Sequence, residues 1–238
     1  MKRISSLAIG ATAAALALAG VSVIAQDKMP LRPSAKGNWG AAIAASDGGH
    51  LLGNPEAPLK LVEYMSYTCS HCAEFAQQGE GAIKLVYVPT GKVSFEIRHL
   101  LRDPVDLTAT LLTHCGETRK FAANHAAIIL RQDEWFAKAR AATQAQRARW
   151  QFGTNASRRQ AIASDLGFDD IMEKRGYRRA DINRCLADET KAESLAETSM
   201  RDIETHGLQG TPSFLINGKL LDGVHAWAPL QKALDSRL

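Results

Sequence analysis

The sequence predicts an α/β protein that carries an all-helical insertion, and three observations support this fold class. A strand pattern, a short cysteine motif, a helix pattern and a second strand pattern follow one another over residues 59–98. No strand pattern occurs over residues 104–185. The chain then returns to a β-hairpin at residues 213–221 and closes with an amphipathic helix over residues 226–237.

The first 25 residues have the pattern of a secretory signal peptide. Lys2 and Arg3 precede an uncharged apolar run over residues 4–24, and the small residues before Gln26 suit a signal peptidase. We therefore predict a signal peptide at residues 1–25 and export of the rest, which in a bacterium means an oxidising periplasm. The alternative is an uncleaved membrane anchor, because about 20 apolar residues can span a bilayer.

The composition suits one large domain, or a small domain with an insertion. Of the 238 residues, 45% are hydrophobic and 23% are charged, as in ordinary globular proteins. The net charge of +4 includes Lys2 and Arg3 of the leader. So small a charge gives no reason to expect nucleic acid as a partner.

The elements before the insertion follow from local patterns. Residues 26–49 mix Pro, Gly, Ser and Asp without a period and predict an N-terminal arm, either a leader strand or a loose segment. The apolar run at residues 59–65 predicts a buried strand. Residues 73–88 predict a helix that two glycines kink. Alternation over residues 93–98 predicts a strand buried on one face.

The following block is helical. Apolar residues recur there at helical spacing, which predicts a helical insertion over residues 104–186. A longer helix then ends near Gly207. Asn217 and Gly218 stand between two apolar runs, and this dipeptide is the strongest short signal for a β-hairpin.

A Cys-x-x-Cys motif opens the first helix. Cys69 and Cys72 follow the carboxyl end of a predicted strand, where open α/β sheets place their chemistry. Cys69 is expected to be the more exposed of the two, and the helix N-terminus favours its thiolate, as would a cationic His71. The pattern predicts a redox pair in which Cys69 attacks and Cys72 resolves, because a lowered thiol pKa stabilises the reduced form by about 1.4 kcal/mol per unit.

Two other interpretations of the motif are weaker. A structural disulfide between Cys69 and Cys72 would close too small a loop to stabilise much. A zinc site would need two more ligands, and Cys115 and Cys185 stand apart with no second motif. We therefore predict no metal.

Cys115 and Cys185 bracket the insertion. In an oxidising compartment we predict a structural disulfide between them, which would close a loop of about 70 residues and stabilise the fold by about 4 kcal/mol. Two buried free thiols are the alternative. Trp135, Trp150 and His125 are interpreted as core residues of the insertion.

Two stretches of the chain resemble a known family. They are Glu-Tyr-Met-Ser-Tyr-Thr-Cys-Ser-His-Cys-Ala-Glu-Phe at residues 63–75 and Gly-Thr-Pro-Ser-Phe-Leu-Ile-Asn-Gly at residues 210–218. At this order and distance they resemble the DsbA family of periplasmic thiol oxidases, over residues 50–238. The resemblance implies a thioredoxin fold with an inserted all-helical domain, in two parts at residues 50–103 and 187–238.

The resemblance also implies roles for individual residues. Pro212 would be a cis-proline facing the motif, and the Thr211 backbone would pair with an extended substrate peptide. Glu63 would lie beneath the cysteines and relay a proton to or from Cys72, with a pKa raised by burial.

These motifs do not fix the direction of the reaction. Ser70 stands where the family often has proline, and Thr211 also resembles the isomerase and reductase branches. Against an isomerase, residues 26–49 are too short for a dimerisation domain, and His71 favours an oxidant. We predict a monomeric periplasmic oxidase without a dissociable cofactor. Its substrates would be reduced or unfolded exported proteins, and a quinone-linked membrane thiol oxidase would reoxidise it.

Two alternatives to the oxidase are retained. The first is a disulfide isomerase or reductase of the same fold, which a reduction potential and a scrambled-substrate assay would separate. The second, from a different class, is a metal-binding chaperone that uses the cysteine motif for copper without redox catalysis. Metal analysis of protein purified without chelators would identify it.

Overall fold

The structure is a computed structural model, and it describes residues 37–238. The signal peptide predicted at residues 1–25 and the first part of the predicted arm lie outside this range. A six-stranded sheet forms the centre of the described part, with the order β1-β2-β4-β3-β5-β6. Its strands are β1 (Ile43–Ser46), β2 (Gly49–Gly53), β3 (Leu59–Met65), β4 (Val93–His99), β5 (Ser213–Ile216) and β6 (Lys219–Leu220).

Strands β3 and β4 run parallel in the middle of the sheet. Strand β5 pairs antiparallel with β3, and β2 pairs antiparallel with β4. The expectation that β4 is buried on one face only is wrong, because five of its seven residues are buried. The polar residues of β4 also contact protein rather than solvent. Arg98 Nε donates a hydrogen bond to Asp202 Oδ2 at 2.7 Å, and the Glu96 carboxylate accepts one from the Ser46 hydroxyl.

The arm contributes a β-hairpin. Strands β1 and β2 pair with the register Ser46 to Gly49, so Asp47 and Gly48 form a two-residue turn. Gly48 has a φ of 78°, a conformation that glycine adopts without strain. An Asp-Gly dipeptide between short apolar runs is a local signal for such a hairpin.

The first helix begins in the cysteine motif. Helix α1 (Ser70–Phe75) continues into π-helical turns at Ala76–Glu80 and Ile83–Tyr87, so wide turns replace the predicted kink. Gly79 admits the ring of Trp227, because a Cβ atom there would lie 2.7 Å from it. Such wide turns are rare and occur often near functional sites.

The insertion is helical, as the apolar spacing predicted, and consists of seven helices. Asp103 caps the first of them by accepting hydrogen bonds from the N–H groups of Val105 and Asp106. One further long helix precedes β5, and a last helix closes the chain. The helices after α1 are α2 (Pro104–Thr113), α3 (Phe121–Ile129), α4 (Gln132–Ala141), α5 (Gln144–Gln151), α6 (Asn155–Leu166), α7 (Phe168–Lys174), α8 (Arg179–Leu186), α9 (Glu189–His206) and α10 (Trp227–Asp235).

The sheet and the insertion share one hydrophobic core. Buried side chains of the sheet, such as Leu61 and Phe95, belong to the same cluster as Leu112 and Phe168 of the insertion. A disulfide joins Cys115, just after α2, to Cys185 in α8. Among residues 37–238, no helix combines the length and apolar character that crossing a bilayer requires.

Candidate active site

The two cysteines of the motif lie at the junction of β3 and α1. Cys69 is the N-cap residue of α1 in extended conformation, and Cys72 lies in the first turn of the helix. Both are free thiols in this structure. Their residues expose 5% and 1% of their surfaces. Cys69 is therefore the more exposed of the two, as expected, although both cysteines are buried.

A loop before β5 accounts for this burial. The peptide bond between Thr211 and Pro212 is cis, and the Cys69 thiol donates a hydrogen bond to the Thr211 carbonyl oxygen, with 3.2 Å from Sγ to O. The structure thus brings together two stretches that lie 142 residues apart in the chain. The Thr211 carbonyl of this loop therefore lies against the Cys69 sulfur at the helix N-terminus.

Hydrogen bonds lower the pKa of Cys69 from 9.0 to about 5. The largest cause is the thiol of Cys72, and the Thr211 side chain and the N–H groups of Cys72 and His71 add to it, while burial opposes them. The Thr211 carbonyl contact favours the neutral thiol, but several donors outweigh this single acceptor. Ser70 and His71 are exposed, and His71 contributes to the lowered Cys69 pKa through its backbone N–H.

The second thiol has the opposite tendency. Burial raises the pKa of Cys72 well above its ordinary value, and the hydrogen bond and charge of Cys69, then the charge of Glu63, raise it further. At neutral pH the reduced centre therefore holds a thiolate at Cys69 and a thiol at Cys72.

Glu63 of β3 lies beneath this pair. It is fully buried, and neither of its carboxyl oxygens has a hydrogen-bond partner among the described residues. Burial raises its pKa well above the ordinary value, followed by the charges of Glu80 and Cys69. The carboxyl therefore holds its proton more tightly than an exposed glutamate does.

The insertion holds the loop that leads to Cys69. The Asp106 carboxylate of α2 accepts hydrogen bonds from Ser66 Oγ at 2.6 Å and from the Tyr67 N–H at 2.8 Å. The Gln132 amide of α4 donates to the carbonyl oxygens of Tyr67 at 2.6 Å and Cys69 at 2.9 Å. Sequence reasoning missed Asp106 and Gln132, because no local pattern links them to a motif more than 30 residues away.

His125 also differs from its interpretation as a simple core residue. It is fully buried, but its two ring nitrogens contact Tyr67 and Glu80 below the cysteines. Trp135 is buried as predicted, and Trp150 is half-buried with its indole N–H donated to Asp165. Only His125 of these three residues bonds to side chains near the redox pair.

Three other histidines form a cluster where β2 and β4 meet the end of α2. The His114 ring lies 4.6 Å from that of His50 and 5.1 Å from that of His99, between centroids. Burial lowers the pKa of all three, to about 3 for His50 and well below 6.5 for the others. No group of His, Cys, Asp or Glu in residues 37–238 is arranged to hold a metal ion.

We expect His99→Leu to gain stability relative to the parent as the pH falls below 6.5. Among residues 37–238, neither His99 ring nitrogen has a hydrogen-bond partner, and burial keeps the ring neutral, so below pH 6.5 the unfolded chain binds the additional proton. Each pH unit then costs the parent about 1.4 kcal/mol, or about 2 kcal/mol at pH 5. Denaturant unfolding near pH 7.5 and near pH 5 measures the difference.

Comparing His99→Leu with the parent at each pH cancels the contributions of the other titrating groups to stability. Glu63 and Asp106 have raised pKa values and act in the opposite direction over this range, but they are common to both proteins. His206→Gln, at the end of α9, serves as the control. A stability difference between His99→Leu and the parent that is the same at both pH values would contradict the prediction.

Known proteins were compared with this fold and site. The family model described as Thioredoxin matches residues 45–236. The chain belongs to the thioredoxin family. A protein-disulfide isomerase from Novosphingobium aromaticivorans shares 44% identity with it at a TM-score of 0.77, over 81% of this chain and 98% of that chain. The predicted thioredoxin fold is confirmed.

More distant members agree with this assignment. Wolbachia pipientis alpha-DsbA1 is 22% identical, with a TM-score of 0.64 over 81% of this thioredoxin-family chain and 92% of that chain, and it shows the same fold. A Rickettsia bellii protein provisionally named a protein-disulfide oxidoreductase is 24% identical over 194 residues, which cover 81% of this chain. The chain spans 66% of that relative's length. The resemblance to DsbA-type oxidoreductases is confirmed by these similarities.

Proposed function

We propose that this chain is a protein disulfide oxidase that introduces disulfides into exported proteins through Cys69 and Cys72. The observation that carries the proposal is the opposed behaviour of the two thiols. Hydrogen bonds lower the pKa of Cys69 to about 5, while burial raises that of Cys72. A thiolate of low pKa is a good leaving group, and it stabilises the reduced form, so the disulfide form gives up its oxidising equivalents readily.

The reaction has two exchange steps. A substrate thiolate attacks Cys69 Sγ, the bond between the two cysteines breaks, and its electron pair goes to Cys72, which takes a proton from Glu63. A second substrate thiolate then attacks the substrate sulfur of the mixed disulfide and releases Cys69 as thiolate. The substrate loses two electrons and two thiol protons. The enzyme gains the two electrons, one proton replaces the one that Glu63 gave to Cys72, and the other passes to solvent.

The loop at Thr211 and Pro212 would hold the substrate. The Thr211 carbonyl lies 3.2 Å from Cys69 Sγ, so an extended peptide paired with this backbone would place its cysteine over that sulfur. Ser70 and His71 are exposed beside Cys69, where they would meet the substrate and tune the pair. The proposal includes export to the periplasm, a monomeric state and reoxidation by a quinone-linked membrane thiol oxidase.

A second candidate is a disulfide isomerase, which the name of the Novosphingobium aromaticivorans relative favours. Equilibration with glutathione and two substrate assays separate the candidates. The oxidase is expected to form disulfides in a reduced, unfolded protein and to be more oxidising than thioredoxin, whose potential is about −270 mV.

Preferential repair of a scrambled substrate, with little oxidation of the reduced one, would establish the isomerase instead. Cys69→Ser is the control and should abolish both reactions. Stoichiometric copper without thiol oxidation would support the metal-binding chaperone.

A further inference from the structure

An exposed histidine between β6 and α10 is bonded to the substrate loop, a name we give to residues 210–212. His225 Nδ1 lies 2.8 Å from the Pro212 carbonyl oxygen. A carbonyl oxygen can only accept a hydrogen bond, so Nδ1 carries the hydrogen and donates it. His225 is exposed, whereas Pro212 is buried. The bond therefore joins a side chain at the surface to the loop that lies against Cys69.

This bond takes the place of one that the sheet does not supply. Strand β6 pairs with β5, and just beyond β6 the Leu221 N–H still donates to the Phe214 carbonyl oxygen at 2.9 Å. Carbonyl groups two residues apart on a strand point to the same side, so a donor for Pro212 is expected from the β6 side. The chain turns at Gly223, which has a φ of 71°, and among residues 37–238 no backbone N–H bonds to the Pro212 carbonyl. The imidazole of His225 supplies the donor instead.

A second side chain holds the other end of the substrate loop. The Ser213 hydroxyl donates to the Gly210 carbonyl oxygen at 2.8 Å. Between the two bonded carbonyls, the Thr211 N–H has no hydrogen-bond partner in the described part of the chain. The Thr211 carbonyl accepts from the Cys69 thiol, a donor that is lost when Cys69 is in a disulfide. The loop is thus fixed on either side of Thr211, and in the oxidised form the Thr211 backbone is available to a peptide.

The segment that carries His225 is itself anchored. Leu221, Val224 and Trp227 are partly buried and pack against the hydrophobic core. Trp227 begins α10, and its ring occupies the space above Gly79 of the α1 extension. A side chain on such a segment restrains the loop rather than moving with it. Because His225 is exposed, its replacement opens no cavity in the core, and its variants are expected to fold.

We propose that His225 is a positioning residue of the disulfide exchange reaction: its Nδ1–H holds the Pro212 carbonyl and so keeps the Thr211 backbone where a substrate peptide pairs beside Cys69. The inference rests on the proposed function, in which an extended peptide pairs with Thr211. His225 neither exchanges sulfur bonds nor transfers a proton. A small dithiol has no peptide backbone to pair, so His225 should matter for peptide substrates and not for dithiothreitol.

Three replacements separate the Nδ1 bond from the other properties of the ring. Asparagine places an amide nitrogen where Nδ1 lies and can donate the same bond, glutamine places its amide nitrogen near Nε2, and leucine has no donor. We expect parental behaviour from His225→Asn and a loss in both His225→Gln and His225→Leu. His206→Leu is the matched control, because His206 ends α9 and packs against Tyr64 instead of the substrate loop.

The kinetic readout is oxidation of two reductants by the disulfide form, an unstructured peptide with two cysteines and dithiothreitol. In His225→Gln and His225→Leu, the second-order rate constant for the peptide should fall about three- to tenfold, which is the usual effect of one hydrogen bond. The rate constant for dithiothreitol should stay at the parental value in every variant. Chromatography of acid-quenched samples measures both constants.

Nitrogen NMR of labelled histidine tests the bond directly. At pH 8 the neutral ring of His225 should carry its hydrogen on Nδ1, because the Pro212 carbonyl selects this tautomer. A ring with its hydrogen on Nε2 would overturn the inference.

The kinetic outcomes separate this inference from the proposed function. Equal losses with the peptide and with dithiothreitol would overturn the inference, since a general disturbance of the site lowers both rates. A parental peptide rate in His225→Leu, or rescue by glutamine but not by asparagine, would overturn it as well. Failure of the proposed function would appear in the parent itself, as a disulfide form that does not oxidise the peptide.

Discussion

Reduced protein is expected to show a thiolate titration with a midpoint near pH 5, and Cys69→Ser should lack both this titration and all disulfide exchange. Hydrogen bonds lower the pKa of Cys69 from 9.0 to about 5 in the folded state. Because the folded pKa is depressed, the stabilisation is complete above pH 9 and is lost as the pH falls through 5. At pH 7 it amounts to about 3 kcal/mol, which makes the disulfide more oxidising by about 60 mV.

Ultraviolet absorbance of the thiolate measures the titration. Cys72→Ala is the informative companion, because the hydrogen bond from Cys72 is the largest cause of the shift, and its loss should raise the midpoint. Unfolding of the reduced and oxidised forms at pH 7 gives an independent value, with the reduced form the more stable. A midpoint near 9 in the parent would contradict the prediction and remove the basis for an oxidase.

Replacement of Cys115 and Cys185 by alanine should lower the free energy of unfolding by about 4 kcal/mol. The disulfide closes a segment of 70 residues. In the chain-entropy model, its removal raises the conformational entropy of the unfolded chain and so lowers the free energy of unfolding by that amount. The loss is a large part of the 5–15 kcal/mol by which domains are typically stable. Denaturant unfolding of the double variant, in buffer without reductant, measures it.

The measurement needs a control for lost packing. Cys115 is buried, and its carbonyl oxygen accepts from the Tyr177 hydroxyl at 2.7 Å, a bond that alanine preserves. A second double variant, Cys115→Ser with Cys185→Ser, is compared with the alanine pair. The comparison separates the stability lost with the crosslink from the stability lost with side-chain volume. A loss below about 1 kcal/mol in both double variants would show that the bridge hardly constrains the unfolded chain.

Local patterns predicted much of the sheet and both halves of the site. The apolar run predicted strand β3, and the Asn217–Gly218 dipeptide predicted the β5–β6 hairpin. Both predictions were possible because periodicity and turn chemistry are properties of neighbouring residues. Cys69 and Pro212 could be associated because two specific motifs occur in a characteristic order. The Asp47–Gly48 turn carried the same kind of signal but lay in a segment interpreted as an arm.

The residues that sequence reasoning missed act over long distances. Asp106, Gln132 and His125 contact the loop before Cys69 or the side chains below it, yet each lies in a helix whose pattern indicates only an apolar face. Glu80 occupies a helical position where a charged side chain normally meets water. Only the packed fold shows that water is excluded there and that His125 and Lys84 are its partners.

Asp106 and Gln132 of the insertion hydrogen-bond to the loop before Cys69, so the insertion cannot be excised as a separate module. Without these two side chains, the Tyr67 N–H and the carbonyl oxygens of Tyr67 and Cys69 lose buried partners, and the segment is released from its present path. A nascent chain therefore acquires a fully shaped reactive cysteine only after its helical half has docked.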